Sequence, residues 1–426
     1  MKRFFINTVC VILSALCMLT AACSSATGYA ENLNNVAYNE KGTGVYIADN
    51  DFLSALSAFS AKIYGISAED QSGNYVMSPL SAYMAFALLN NVAGEEVKAE
   101  TEEFFGMTAE QVALTGDLFL SLVNEREAHG KSVSKLDLTN SVWLDDRAEP
   151  NANALNRLAE ELFCYAYRAP FASDNKNANN AIRRFIKEKT KGLIDKDFDL
   201  SPQTLFALIN TLYLKDVWTI DGDLDVSNEN FYAKNKTLKT DFLTGKYAAG
   251  EVVSNQVCDF FYASTYCGYK LKLILPKDGE TPESVSTAAN LEYVNGYKWA
   301  FADENEIGHF TRCIFPAFKV TSDTKMKEVI QSHGYLAQAF SGFANDLVNT
   351  EIAVSDVKHT ATVNVNKTGV EGAAVTIIET KETAILPEKP YAYHDFKVDR
   401  PFVFLLTTSN DVVLFAGKIT DPTIKK

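Results

Sequence analysis

Residues 359–401 read HTATVNVNKTGVEGAAVTIIETKETAILPEKPYAYHDFKVDRP. Thr362, Asn364 and Asn366 alternate with Val363 and Val365 at the period of two that marks a half-buried strand. Gly369 follows, then a run of small residues from Val370 to Thr376. Beyond it come Thr, Glu, Lys, Pro and Tyr without helical period, until an apolar strand begins near Val398. Long segments of this kind are usually functional or disordered. This one reads as an exposed working loop, about 367–397, which the remaining chain exists to hold.

Upstream, Phe52, Leu53, Leu56, Phe59 and Ile63 recur at helical spacing from Asp51, taken as the N-cap, to Tyr64. Asn74 to Met77 is a short strand, and Ser78-Pro79 then places a capping serine before a proline at the first helical position. The helix it opens, through Asn90, is apolar nearly all round and therefore buried. Further helices are expected at Glu95–Phe105, Gln111–Glu127, Ala152–Phe163 and Asn177–Thr190, with a strand at Leu136–Leu144. After Pro202 short aromatic and β-branched runs take over, Cys313 to Val320 among them, interrupted by a helix at Lys325–Ser332. Strands at Phe402–Thr407 and Val412–Ala416 close the chain. Helices first and strands later, without regular βαβ alternation, predict an α+β fold: a helical N-terminal half, a large central mixed sheet and additional sheets. No repeat or composition break follows Tyr46, so residues 47–426 read as one domain.

The chain has 426 residues, 47% hydrophobic, which suffices for a large core. A net charge of -14 argues against nucleic acid or an anionic membrane surface as partner. Met1-Lys2-Arg3 and the apolar run Phe4–Leu19 form an export signal too short to span a bilayer comfortably. Thr20-Ala21-Ala22-Cys23 resembles a bacterial lipoprotein signal, which implies a signal peptide at 1–22 and lipidation at Cys23; an ordinary cleaved signal peptide is the alternative. Ser24 to Tyr46 reads as a flexible tether. The expected location is therefore the cell surface or the medium, with the membrane reached only through a lipid anchor at Cys23. Cys164, Cys258, Cys267 and Cys313 have no metal or redox spacing; Cys258 and Cys267 either pair across a sheet or stay as buried thiols.

An enzyme reading finds no residue set. Ser132-Val133-Ser134-Lys135, Ser173-Asp174-Asn175 and Lys367-Thr368-Gly369 match the S-x-x-K, S-D-N and K-T-G order of penicillin-recognising hydrolases. Their serine belongs at the start of a buried helix, whereas Ser132 to Lys135 leads directly into a strand pattern. No G-x-S-x-G or H-E-x-x-H occurs, and His129, His309, His333, His359 and His394 lie far apart in sequence. No metal site and no cofactor is expected.

Several anchors, in order from about Phe52 to Pro422, resemble the serpins. Asn74 to Ser81 is similar to the family's "SPxS" helix start, and Asn210 to Trp218 to its "N-x-x-x-F-K-G-x-W" central strand. Phe315 to Val320 resembles the "hP-x-F" strand, and Asp399 to Phe404 the "D-[HR]-P-F-x-F" lead-in to the last hairpin. Gly369, Val370, Glu371, Gly372, Ala373, Ala374, Val375 and Thr376 resemble the hinge "G-T-E-A-A-A-x-T".

The resemblance implies a monomeric suicide inhibitor of a serine protease, or a cysteine protease. In that mechanism the cut loop inserts as a new strand before the acyl-enzyme can be hydrolysed. An inserting strand needs one face that tolerates a sheet core. Val370, Gly372, Ala374, Thr376, Ile378 and Thr380 form an uncharged set, while the opposite set holds every charge through Lys381. Val370 stands where Thr or Ser is usual, Gly372 replaces an alanine, and Lys367 stands where the family often has Glu. Ala317 occupies the place of the lysine that would pair with that Glu, so both charges are gone together. The family's spacing from the hinge glycine puts the scissile bond at Thr383–Ala384, with Lys381 and Glu382 as neighbouring bait; spacing back from Pro401 would put it near Pro390. Small residues at the bond favour an elastase-like or subtilisin-like target, and Lys381 a trypsin-like one after a register shift. Ser78, Ser81, Asn210 and His359 are expected as a polar cluster under the opening sheet, with Trp218 where the loop first enters. A serpin fold that binds without inhibiting is the alternative.

Overall fold

A computed structural model describes residues 30–38, 47, 49–128, 131–220, 222–299, 308–354, 357–370 and 391–424. Along the chain the strands are β1 (Glu31–Asn32), β2 (Tyr75–Met77), β3 (Asn124–Ala128), β4 (Lys131–Asp145), β5 (Cys164–Ala169) and β6 (Phe206–Val217). β7 (Asp225–Ala233), β8 (Lys236–Ala249), β9 (Val253–Ser254), β10 (Cys258–Ser264), β11 (Lys270–Pro276) and β12 (Gly308–Pro316) follow. The last are β13 (Phe318–Lys325), β14 (Lys358–Val365), β15 (Gly369–Val370), β16 (Tyr391–Lys397), β17 (Phe402–Thr407) and β18 (Val413–Ile419).

Among the described residues they form three sheets. Sheet A has eight strands in the order β1-β5-β4-β6-β15-β14-β13, with β3 added to β4. Sheet B has six, β2-β18-β17-β11-β10-β9, and sheet C four, β16-β12-β8-β7. Sheet A is mixed, because β4 and β5 run parallel while β4 and β6 are antiparallel. β17 and β18 are buried on both faces, as continuous apolar runs require.

The helix Pro79–Val92 is the axis against which sheets A and B close. Ser78 caps it by accepting the Ser81 N–H, Pro79 occupies its first turn, and nearly every residue in it is buried. One apolar cluster runs from Ile47 to Ile419, and a smaller one around Trp143, Phe171 and Phe185 covers the outer part of sheet A.

The architecture is the α+β arrangement expected, with several local differences. Asp49, not Asp51, caps the first helix, Asn50–Ala68, accepting the Phe52 N–H at 2.8 Å. The single helix expected at Gln111–Glu127 is two short ones, Ala109–Val112 and Thr115–Leu122, followed by β3. Pairing of β3 with β4 outweighs the helical preference of Glu125, Arg126 and Glu127. Ala30 to Tyr38 is no tether: β1 pairs with β5, and the Asn34 side chain both donates to Cys164 O and accepts from Ala166 N–H. The N-terminal half thus adds strands to sheet A as well as helices. The run Cys313–Val320 is divided at Ala317, where the chain leaves sheet C as β12 and enters sheet A as β13. Cys258 and Cys267 are free thiols. They lie at and beyond opposite ends of β10, too far apart to bond.

Candidate functional site

β6 and β14 flank β15 in sheet A, and among the described residues no ladder joins them except through it. Gly369 and Val370 are therefore already strand. Gly369 lies opposite Val217, and Val370 lies between Asp216 and Val365. A Cβ on Gly369 would stand 2.0 Å from Asp216 O, so close backbone approach dictates the glycine. Val370 is buried, as an apolar side chain at the first inserted position should be. Strand expected to form later begins, for these two residues, in the uncut chain. Glu371, Gly372, Ala373, Ala374, Val375 and Thr376 lie outside the described residues, as do Lys381, Glu382, Thr383 and Ala384. Cys23 lies outside them too.

The hinge end of this slot is clamped by backbone and charge. Trp218 N–H donates to Thr368 O at 3.0 Å, and Leu224 N–H to Lys367 O at 2.8 Å. The Trp218 indole N–H donates to Asn366 O at 2.7 Å, its ring edge-on to Phe315. Lys367 Nζ pairs with Asp223 Oδ2 at 2.8 Å, and Thr368 Oγ1 donates to Asp223 Oδ1 at 2.9 Å. The ammonium holds the Asp223 carboxyl below its ordinary range. Lys367 therefore has a new partner in place of the charge pair lost at Ala317.

Asp216 is enclosed behind the clamp, at the position where the central-strand pattern has glycine. It accepts from Thr265 Oγ1 at 2.5 Å, from Cys267 N–H at 3.0 Å and from Val217 N–H at 2.9 Å. Burial of the carboxylate outweighs these bonds and pushes its pKa up to about 6.

Six residues back along each strand, about 20 Å at about 3.3 Å per residue, the slot opens over a cavity of about 160 Å³. Ser78, Ser81, Asn210 and His359 line it together, with apolar walls that include Ile182 and Phe198. Ser78 Oγ donates to Leu414 O at 2.7 Å, and its N–H donates to His359 Nε2 at 2.9 Å. Ser81 Oγ donates to Asn210 Oδ1 at 2.5 Å, Asn210 to Asn140 Oδ1 at 2.8 Å, and Asn140 to Leu162 O at 2.8 Å. One polar chain thus ties the helix Pro79–Val92 to β6 and, through the Asn140–Asn210 rung, to β4. His359 keeps some exposed surface, but protein surrounds the ring; burial brings its pKa down to about 4, and it is neutral with Nε2 accepting.

The sequence motifs contain Ser78, Ser81, Asn210, Trp218 and His359, and the fold gathers four of them at the cavity and Trp218 at the hinge. Asn140, Asp216 and Asp223 are further residues of the site, which only the fold brings into it. Asp216 carried a signal, a charge in the glycine position of an apolar strand motif; Asn140 and Asp223 carried none. Ser132 and Lys135 lie within β4, and Asp174 caps the helix Asn175–Lys189, so the hydrolase motifs are structural. The fold also brings together a group that the sequence spacing does not reveal: His309 Nδ1 and His394 Nε2, 85 residues apart, stand 2.9 Å from each other beside Glu251.

A family model described as Serpin (serine protease inhibitor) matches residues 54–422. A serpin-like protein of Methanosarcina acetivorans is 22% identical over 397 residues, covering 89% of this chain and 88% of its own length. Iripin-1 of Ixodes ricinus is 26% identical over 372 residues, covering 81% and 88%. The native-state crystal structure of tengpin, a thermophilic serpin, superposes with a TM-score of 0.73 at 22% identity, covering 92% of this chain and all of tengpin.

Proposed function

Because the chain belongs to the serpin family, we propose that it is an exported suicide inhibitor of serine proteases. The observation that carries the reading is the slot: Gly369–Val370 form its first rungs, and among the described residues no ladder joins β6 to β14 beyond them, above a cavity. The uncharged parity that begins at Val370 continues through Gly372, Ala374, Thr376, Ile378 and Thr380. A strand continuing in register from Val370 turns that set to the side on which Val370 is already buried.

Each rung contributes about 0.5–1.5 kcal/mol net, so the uncut chain is held short of a more stable state by kinetics. Cleavage at Thr383–Ala384 frees the hinge side to enter the slot while the protease is still esterified to it. Small residues at that bond suit elastase-like or subtilisin-like pockets. The lipoprotein-type signal ending at Cys23 would place this reaction at the cell surface.

The test is to mix the protein with elastase, subtilisin and trypsin and resolve the products under denaturing conditions. The expected result is an SDS-stable adduct with elastase or subtilisin, and a released fragment beginning at Ala384. Cleavage within the loop without an adduct would show a substrate or a non-inhibitory binding protein instead.

A further inference from the structure

Sheet C holds a cluster that the inhibition reading does not use. His309 lies on β12 and His394 on the edge strand β16, which pairs parallel with β12. His394 is opposite Thr311, two residues on from His309, so the alternation of a strand puts both imidazoles on one face. Their rings lie within 15° of parallel, and His309 Nδ1 is 2.9 Å from His394 Nε2. Glu251, just past the end of β8, brings Oε1 to 2.9 Å from His309 Nδ1 and 3.9 Å from His394 Nε2.

The third ligand is held in place by its backbone. Gly250 has φ +118°, and a Cβ there would stand 2.6 Å from Trp299 Cδ1, so only glycine makes the turn that returns Glu251 over the sheet. Gly250 N–H donates to His309 O at 2.8 Å, Thr311 Oγ1 donates to Gly250 O at 2.8 Å, and the Trp299 indole donates to Glu251 O at 3.1 Å.

We propose that Glu251, His309 and His394 form a binding site for a divalent transition metal, zinc above all, that clips β16 to sheet C. Zinc with ligands at about 2.0–2.1 Å has tetrahedral edges of about 3.3–3.4 Å, and the three donor separations bracket that value. Two imidazoles and one carboxylate leave a fourth position to water. In the metal-free protein a proton on His309 Nδ1 bridges the two other donors; the metal takes its place and the proton moves to Nε2. The consequence is local. Among the described residues β16 is an edge strand laddered only to β12, and the metal adds a second attachment that also reaches the turn after β8. None of this depends on the chain's being an inhibitor.

Calorimetric titration of the untagged full chain with zinc chloride should show one zinc per chain, and magnesium chloride should give no binding. H309A and H394A should each weaken zinc by more than the roughly 10–100-fold that loss of an outer hydrogen-bond partner costs. E251Q, altering an exposed side chain off the ladder, tests the same site without disturbing β16. H333A, whose imidazole pairs with Glu69 elsewhere, should bind as wild type. At zinc one hundred times Kd, amide exchange of Tyr391–Lys397 should slow about 100-fold. Zinc binding undiminished in H394A and E251Q, or binding that leaves exchange of β16 unchanged, overturns the proposal.

Discussion

At the hinge end of the slot, Lys367 meets Asp223 in solvent, and backbone bonds from Trp218 and Leu224 grip Lys367 and Thr368. At the other end, Ser78, Ser81, Asn140, Asn210 and His359 hold the sheet through neutral hydrogen bonds around a cavity. The hinge end has accepted two residues of new strand, Gly369 and Val370. An exposed ion pair is weak and easily exchanged, whereas a buried polar chain is costly to leave half made. The charged side-chain contact at the hinge is therefore the easier to exchange, and the polar chain at the cavity the costlier to break.

Val370 offers the sharpest way to break this contrast. Val370→Glu would set an unpaired carboxylate opposite buried Asp216, and an uncompensated buried charge costs about 3–5 kcal/mol. The rungs of β15 should leave the sheet, lowering the unfolding midpoint and speeding exchange of the Trp218 amide. An unchanged midpoint would mean that these rungs carry no stability.

Acid should act on the two ends with opposite sign. His359 is depressed to about 4 from an ordinary 6.5, so the unfolded chain takes up the proton first. The stability it contributes, about 3 kcal/mol, is complete above about pH 6.5 and lost as the pH falls to about 4. Asp216 is raised to about 6 from 3.8, so the folded chain holds its proton more tightly. Its contribution, also about 3 kcal/mol, is complete below about pH 4 and lost as the pH rises through 6. Because the two windows overlap and nearly cancel, the urea midpoint of the wild type should vary little between pH 4 and 7, whereas H359Q should lose stability as the pH rises and D216N should lose it as the pH falls. A profile that neither variant alters would refute both assignments.

Lys367→Ala should have the smallest effect. It removes a solvent-exposed partner of Asp223, so the midpoint should shift slightly at low salt, and the difference should vanish at roughly 1 M salt. A salt-independent loss would mean that the clamp depends on packing rather than charge.

Much of this region was legible because it depends on local pattern. Ser78-Pro79 before an apolar run predicts the capped, buried helix, since capping and amphipathicity are properties of a dozen consecutive residues. Anchors around Asn210, Trp218 and His359 marked the walls of the slot. Asn140 was lost among apolar neighbours in a strand, and its role appears only when β4 and β6 set it opposite Asn210. The expected helix over Gln111–Glu127 failed for the same reason, because an edge pairing with β4 decides the fate of Asn124–Ala128.

By itself the sequence determined the parity of the loop, the glycine at its hinge and the helix beneath it. Each of these follows from the two- and 3.6-residue periods of the backbone or from steric demands at one position. Only the tertiary structure decided that β15 already lies between β6 and β14, that Lys367 pairs with Asp223, and that the chain changes sheets at Ala317. It alone brought His309, His394 and Glu251 together. Those are contacts between residues remote in the chain, and strand register and sheet order, rather than local preference, decide which remote residues meet.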